Sequence, residues 1–411
     1  MKLSLNAQIM IGAAIGVSAG IYLNSSGSAQ EYYGTALYVC DLVGGIFINL
    51  LKMILIPLVF TSIAVGIANL RAHAQMGRVW KYTLVYFAST TALATLLGII
   101  VVNVFRPGAG LEVAMFQDAM SVFNAERITL SQFILSFLSG IFVNPVTAMA
   151  QGMVLPTVVF ALMLGVALVM AGDKKASTIL NLLDELFVLI MMMVGWIMYI
   201  APVGIMALLA KLIATQDVTF LAEMGKFMAV VIGGTLFHGC IVLPAILFMF
   251  TGTNPFKFLL GVRDALLTAL STSSSSATLP VTIRCVEENL KVDKNVAGFV
   301  LPLGATVNMD GTALYEAVAA LFVANVMGVD LNLIQQVIIF FMAILASIGA
   351  PGIPSAGMVT MIMVLQSVGL PAEAIAILLP VDRILDAVRT MVNVEGDTIG
   401  SAVVQKLISR K

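Results

Sequence analysis

The chain has 411 residues, of which 60% are hydrophobic and only 10% charged, with a formal net charge of −1. A mean hydropathy of +1.05 excludes a soluble globular domain and indicates a polytopic membrane protein. The near-zero charge gives no bulk attraction to nucleic acid.

Met1 and Lys2 lead into an apolar stretch, residues 9–23. Val17-Ser18-Ala19 is only a weak candidate for signal-peptide cleavage, and the stretch reads as a retained first helix because the following segments need its orientation. Apolar segments follow at 36–70, 79–105, 130–171, 177–212 and 221–252, giving six spanning elements with the first at 7–24. Several exceed the roughly 20 residues a span needs, so tilt or breaks are expected. Asn144-Pro145, Gly152 and Pro156 predict that the fourth is broken into pieces. Lys2, Arg71, Arg78, Lys174, Lys257 and Lys406, among others, fall on one side of this topology. Arg106, Arg127, Lys211 and Lys226 fall on the other. The positive-inside rule makes the first side cytoplasmic, with both termini inside. Cys40, Cys240 and Cys285 lie in or beside apolar segments and read as small buried apolar residues, not a disulfide framework. The 25 methionines read as adaptable core filler; consecutive Met191, Met192 and Met193 do not form a ligand cluster on one face.

After residue 252 the pattern changes. Residues 258–270 are too short to span, and they enter the polar run 271–280, which contains Ser273, Ser274, Ser275 and Ser276. A short second half, 281–285, ends in charged residues. Both ends carry Lys and Arg, so a re-entrant hairpin with an irregular polar tip is expected, tolerated only where it lines a cavity or is buried in protein. Residues 300–326 form the next span, interrupted at 304–312 by Gly304, Thr306, Asn308, Asp310, Gly311 and Thr312. These are poor helix formers, and an unwound span with exposed carbonyls is predicted. Residues 334–345 and 358–368 flank a Gly- and Pro-rich segment, 346–357, with no Lys or Arg at either end. This reads as a second hairpin, entering from the opposite face. The pair makes an inverted repeat, which points to alternating access around a midplane site.

The last apolar run, 374–381, leads into Asp382, Arg383, Asp386, Arg389, Thr390, Asn393, Glu395 and Asp397. A charge at the bilayer centre costs about 3 kcal/mol or more, so such groups must face a cavity. At roughly 100° per residue, Asp382, Asp386, Arg389, Thr390, Asn393 and Asp397 share one arc of roughly 100°. Arg383 lies at its edge and Glu395 points nearly the other way. A cation, carboxylates, an amide and a hydroxyl on one face suit a small zwitterion or anion together with metal cations.

The motifs at Phe47-Ile-Asn-Leu-Leu-Lys52-Met-Ile-Leu-Ile-Pro57, 273–280, Asn308-Met-Asp310-Gly-Thr312, 349–357 and Asp386 to Asp397 resemble those of the glutamate/aspartate transporter family, the dicarboxylate/amino acid:cation symporters. The resemblance covers essentially the whole chain. It implies an all-α, elevator-type transporter with eight transmembrane helices and two re-entrant helical hairpins, assembled as a homotrimer in the plasma (inner) membrane. The implied scaffold comprises 1–70 (helices one and two) and 130–212 (helices four and five, with trimerisation). The implied transport domain comprises helix three at 79–105 and residues 221–411. The latter hold helix six, a hairpin at 258–290, helix seven at 295–326, a hairpin at 332–368 and helix eight at 371–410.

The resemblance also assigns roles. Arg389 takes the side-chain carboxylate of an acidic amino acid and Asp386 its α-amino group. Asn393 and Thr390 complete the polar contacts, and Thr312 lies near the distal carboxylate. Ser274, Ser275, Ser276, Ile353 and Gly357 supply hairpin-tip backbone. One sodium site combines Asp397 with carbonyls of Gly304, Asn308 and Asn393. A second combines carbonyls of Thr306, Ser347, Ile348 and Ala350. A third combines Asp310, the Asn308 side chain, Thr90, Thr91 and the Phe87 carbonyl. Oxygen-only ligation suits a hard cation; no cofactor other than coupling ions is implied. Glu316 matches a glutamate tied, in animal members, to proton carriage and potassium counter-transport. Two departures stand out. Archaeal members have an arginine at the Ser273 position and animal members at the Ala387 position, and this chain has neither. Arg383, one turn before Ala387 and roughly 40° around the helix, is the nearest substitute.

Other classes fit less well. An enzyme would use Asp310 and Asp397 as an aspartyl dyad or Ser275 as a nucleophile, but no histidine neighbours the serine run. A passive channel would not concentrate its solute. A four-carbon dicarboxylate carrier would lack Asp386, and a neutral amino acid exchanger would lack Arg389.

Overall fold

The computed structural model describes residues 5–26, 31–69, 77–111, 142–215, 218–349 and 356–409, and among them every regular element is a helix. Among the described residues five helices are long and apolar enough to cross a membrane, at 7–25, 32–66, 78–105, 176–215 and 219–251. They lie within α1 (Leu5–Ser26), α2 (Glu31–Asn69), α3 (Gly77–Phe105), α6 (Asp173–Thr215) and α7 (Val218–Phe237), the last continuing through a π turn, His238–Val242, into α8 (Leu243–Thr251).

The fourth expected span is broken as its composition predicts. Residues 130–141 lie outside the described residues. Beyond them come α4 (Pro145–Ala150) and α5 (Val154–Ala171). Asn144 caps α4, accepting hydrogen bonds from the Val146 and Thr147 amides at 2.9 and 3.3 Å. Gly152, at φ +69°, turns the chain between the two helices. Pro156 does not break the segment; it sits in the first turn of α5, where its missing N–H costs nothing.

Helices α1, α2, α5 and α6 pack on one another. In α1 small residues set the distance. A Cβ on Gly12 would stand 2.3 Å from the Pro202 carbonyl oxygen, on Gly16 2.4 Å from that of Met206, and on Gly20 2.7 Å from the Ile213 Cβ. This four-residue glycine period brings the α1 backbone onto α6, the usual way apolar helices associate in lipid. Gly16→Val is therefore expected to destabilise the protein by about 1–3 kcal/mol, seen as a lower unfolding temperature in detergent. An unchanged temperature would contradict this packing.

The remaining helices gather around α15 (Ile375–Ser409), a continuous helix of 35 residues. Its neighbours are α3, α7, α8, α9 (Pro255–Thr272), α10 (Ser275–Arg284), α11 (Lys294–Val307), α12 (Asp310–Val326) and α14 (Ala356–Ser367); α13 (Leu333–Gly349) packs on α14, α12 and α3. Nearly every residue of α12 is buried, as expected of a helix apolar all round. Lys52 of α2 pairs with Glu373, just before α15, across the boundary between the two groups of helices.

Both predicted interruptions are narrower than their composition implies. The serine run was expected to be irregular to Pro280, yet α9 runs to Thr272 and α10 restarts at Ser275. Only Ser273, at φ +51°, and Ser274 leave the helix. The reason is capping: the Ser274 hydroxyl accepts the Ala277 amide at 3.1 Å, so serine starts a helix here. Likewise only Asn308 and Met309 separate α11 from α12, so Gly304 and Thr306 are helical. The tip of the second hairpin, with Ala350 and Ile353, lies outside the described residues. Cys285 is buried as expected, but Cys240 is exposed on the π turn and Cys40 half-buried.

Candidate functional site

Arg389 is fully buried at the middle of α15. Its Nη2 donates to Asp382 Oδ1 at 2.8 Å and to Asp386 Oδ1 at 2.9 Å, and its guanidinium lies 3.9 Å above the centre of the Tyr315 ring. Charge-assisted bonds and a cation–π contact together make burial of this cation tolerable. Among the described residues its Nε and Nη1 are buried donors without an acceptor. Arg383, at the edge of the arc, is also buried, and its Nη1 lies 3.4 Å from Asp386 Oδ2.

The start of α12 closes on this face. A Cβ on Gly311 would stand 2.7 Å from the Arg389 carbonyl oxygen, so only glycine permits the approach. The Gly311 amide donates to Asn393 Oδ1 at 2.7 Å, and Asn393 Nδ2 donates to the Thr312 hydroxyl at 3.3 Å. Gly357 of α14 faces Thr312 and the Arg389 guanidinium. Thr390, Ser274 and Ser275 are buried, whereas Ser276 is exposed. The α15 arc thus brings Arg389, Asp386, Asn393, Thr312 and Gly357 together.

A second polar centre lies one turn further along α15. Asn308 Nδ2 donates to Asp397 Oδ1 at 3.0 Å, and a Cβ on Gly304 would stand 2.3 Å from that oxygen. The Thr90 hydroxyl lies 3.2 Å from the Phe87 carbonyl, 3.2 Å from Asn308 Oδ1 and 3.3 Å from Asp310 Oδ1, and Thr91 donates to Asp310 Oδ1 at 2.8 Å. All five groups expected at the third cation site therefore meet. Among the described residues no three His, Cys, Asp or Glu side chains are grouped to hold a metal. The oxygens gathered here come from hydroxyls, an amide, a carbonyl and carboxylates, a donor set that fits a hard monovalent cation. The Gly304 carbonyl also accepts the Asn308 amide at 2.9 Å as part of the helix. For the second cation site, Thr306 lies in the last turn of α11 and is exposed, with its hydroxyl on the Leu303 carbonyl at 3.0 Å. Ser347 and Ile348 lie in the last turn of α13, which packs on α11.

Two partners escape sequence reasoning. His238 is buried in the apolar run of α7 and α8, and its Nε2 lies 3.0 Å from Asp310 Oδ2, which makes it a neighbour of the cation centre. Its place on a π turn, a frequent mark of functional sites, is not visible in composition. Buried Glu316 accepts the Thr360 hydroxyl of α14 on Oε1 at 2.5 Å, while its Oε2 has no partner among the described residues. Glu395 points away from the arc, as its helical angle predicts, towards Gly239.

The sequence model of the sodium:dicarboxylate symporter family matches residues 5–407. The chain belongs to that family. It is also similar to the excitatory amino acid transporter 3 of Mus musculus, 36% identical over 100% of this chain and 86% of that protein. Excitatory amino acid transporter 3 of Homo sapiens is likewise 36% identical over 100% of this chain and 86% of its own length. Excitatory amino acid transporter 2 of Mus musculus is 38% identical over 89% of this chain and 72% of its own length. As a sodium:dicarboxylate symporter the protein is an integral membrane transporter and not an enzyme. Asp310 and Asp397 are both engaged by other groups: Asn308 reaches Asp397, and Thr90, Thr91 and His238 hold Asp310.

Proposed function

We propose that the protein takes up L-aspartate or L-glutamate together with sodium, by alternating access around the buried face of α15. Arg389 carries this reading. A planar guanidinium whose Nε and Nη1 donors are buried without acceptors among the described residues suits a substrate carboxylate. Asp386 receives the α-ammonium group, Asn393, Thr390 and Thr312 complete the polar contacts, and Ser274, Ser275, Ser276, Ile353 and Gly357 contribute backbone from the hairpin tips. The relatives' names as excitatory amino acid transporters support the same substrate class. Sodium is taken at Asp397 with the carbonyls of Gly304, Asn308 and Asn393, at the carbonyls of Thr306, Ser347, Ile348 and Ala350, and at Asp310 with Asn308, Thr90, Thr91 and the Phe87 carbonyl.

The group containing α1, α2, α5 and α6 serves as a trimeric scaffold. The group around α15 moves across the membrane as one body, carrying both hairpins. The protein lies in the plasma (inner) membrane with both termini cytoplasmic. The direct test is aspartate binding to purified protein titrated with sodium. Sodium should raise aspartate affinity, and aspartate should raise sodium affinity by the same factor, as linkage demands. Aspartate binding independent of sodium would contradict coupling.

Glu316 completes the cycle by carrying a proton inward with the substrate. On the empty return it is ionised, and moving a buried charge without a compensating cation is slow. Glu316→Gln is expected to leave exchange of internal for external substrate largely intact while slowing net uptake by about tenfold, the rate effect of about 1.4 kcal/mol in barrier. Exchange and net flux are compared in the same proteoliposomes; an equal fall in both, or no change in either, would contradict the coupling role.

A further inference from the structure

The substrate face of α15 buries two guanidinium groups, and the proposed recognition of an acidic amino acid uses only one. Asp386 is engaged on both oxygens, by Arg389 Nη2 on Oδ1 at 2.9 Å and by Arg383 Nη1 on Oδ2 at 3.4 Å. Asp382 adds a second carboxylate on Arg389. The formal charges of Asp382, Asp386, Arg383 and Arg389 sum to zero. On an exposed helix face an i,i+3 pair of this kind has little effect. Here the Arg383 and Asp386 side chains are only 6% and 8% exposed, so water screens them poorly and their charges act strongly on a ligand beside them.

The consequence falls on the α-amino group. A substrate carboxylate entering on Arg389 leaves Arg383 in place on Asp386. An incoming ammonium must then compete with that guanidinium for the same carboxylate. A dicarboxylate without an amine needs no such exchange, and Arg383 spares it an uncompensated buried carboxylate, the usual means by which a site rejects a ligand that lacks a cation. Building on the acidic amino acid reading above, we propose that Arg383 is a specificity-determining residue. Its guanidinium on Asp386 lowers the site's demand for an α-ammonium group, so that amine-free four-carbon dicarboxylates compete with aspartate.

The experiment uses purified full-length protein in saturating sodium, with radiolabelled aspartate as ligand and succinate as competitor. In the wild type succinate is expected to displace aspartate. In Arg383→Gln the ratio of succinate Kd to aspartate Kd should rise about tenfold or more, a differential of about 1.4 kcal/mol, because succinate loses a favourable charge while the ammonium of aspartate loses a competitor. Arg383→Lys, which keeps the charge, should preserve the wild-type ratio. A ratio unmoved in Arg383→Gln, or moved as far in Arg383→Lys, overturns the proposal, as does failure of succinate to compete in the wild type, which decides the matter even if the glutamine variant does not fold. A wild type that binds no aspartate contradicts the acidic amino acid reading and this inference with it; normal aspartate binding with an unmoved ratio contradicts this inference alone.

Discussion

Arg389→Cys is expected to abolish uptake of acidic amino acids, with aspartate affinity falling by at least about a hundredfold, or roughly 2.7 kcal/mol. The cation is fully buried between Asp382, Asp386 and the face of Tyr315. Removing it withdraws the substrate carboxylate's proposed partner. It also leaves two buried carboxylates with less compensation, a defect that costs about 3–5 kcal/mol when a buried pair is broken. Folding must therefore be followed alongside binding. Arg389→Lys separates the two effects. It keeps the charge on Asp382 and Asp386 but loses the planar fork, so the fold should survive while affinity still falls. Neutral amino acids, whose side chains need no cation, are expected to gain relative to aspartate in the cysteine variant. Unchanged aspartate affinity in a folded Arg389→Cys protein would remove this residue from the site.

The second large effect is expected at Asp397. Its Oδ1 accepts from Asn308 at 3.0 Å and lies against the glycine backbone at residue 304. A carboxylate there is the only formal charge in the proposed first sodium site. Asp397→Asn keeps the volume and removes the charge. Half-saturating sodium should rise about tenfold or more, and aspartate affinity should fall in parallel at fixed sodium, because coupled ligands share one interaction energy. Sodium dependence is read from uptake and aspartate affinity from binding, on the same preparation. A variant that retains wild-type sodium dependence would exclude Asp397 from cation binding.

Much of the candidate site was legible because charge inside an apolar run is so costly. The α15 arc, from Asp382 to Asp397, stood out for that reason alone, and helical angle separated Glu395 from it. The two interrupted spans were legible from Asn308, Asp310 and the serine run. Their lengths were not: Ser274 acts as a cap, and capping turns a polar stretch into the start of α10. Long-range partners were illegible in principle. His238 meets Asp310 across 72 residues of chain, and Glu316 meets Thr360 across 44; no periodicity encodes either. The glycine seam of α1 is present as Gly12, Gly16 and Gly20, but its meaning appears only once α6 lies against it. Arg383 was placed at the edge of the arc by angle, and only side-chain geometry reveals that it reaches Asp386.

Sodium drives uptake of an acidic amino acid at the buried face of α15 in this proposal. That coupling is tested most directly by radiolabelled aspartate and glutamate uptake into proteoliposomes, with sodium, proton and potassium gradients imposed separately. The expected result is accumulation above the external concentration when an inward sodium gradient is present, collapsing when that gradient is dissipated. Uptake equally fast in sodium-free buffer, or entry that never exceeds the external concentration, would contradict it.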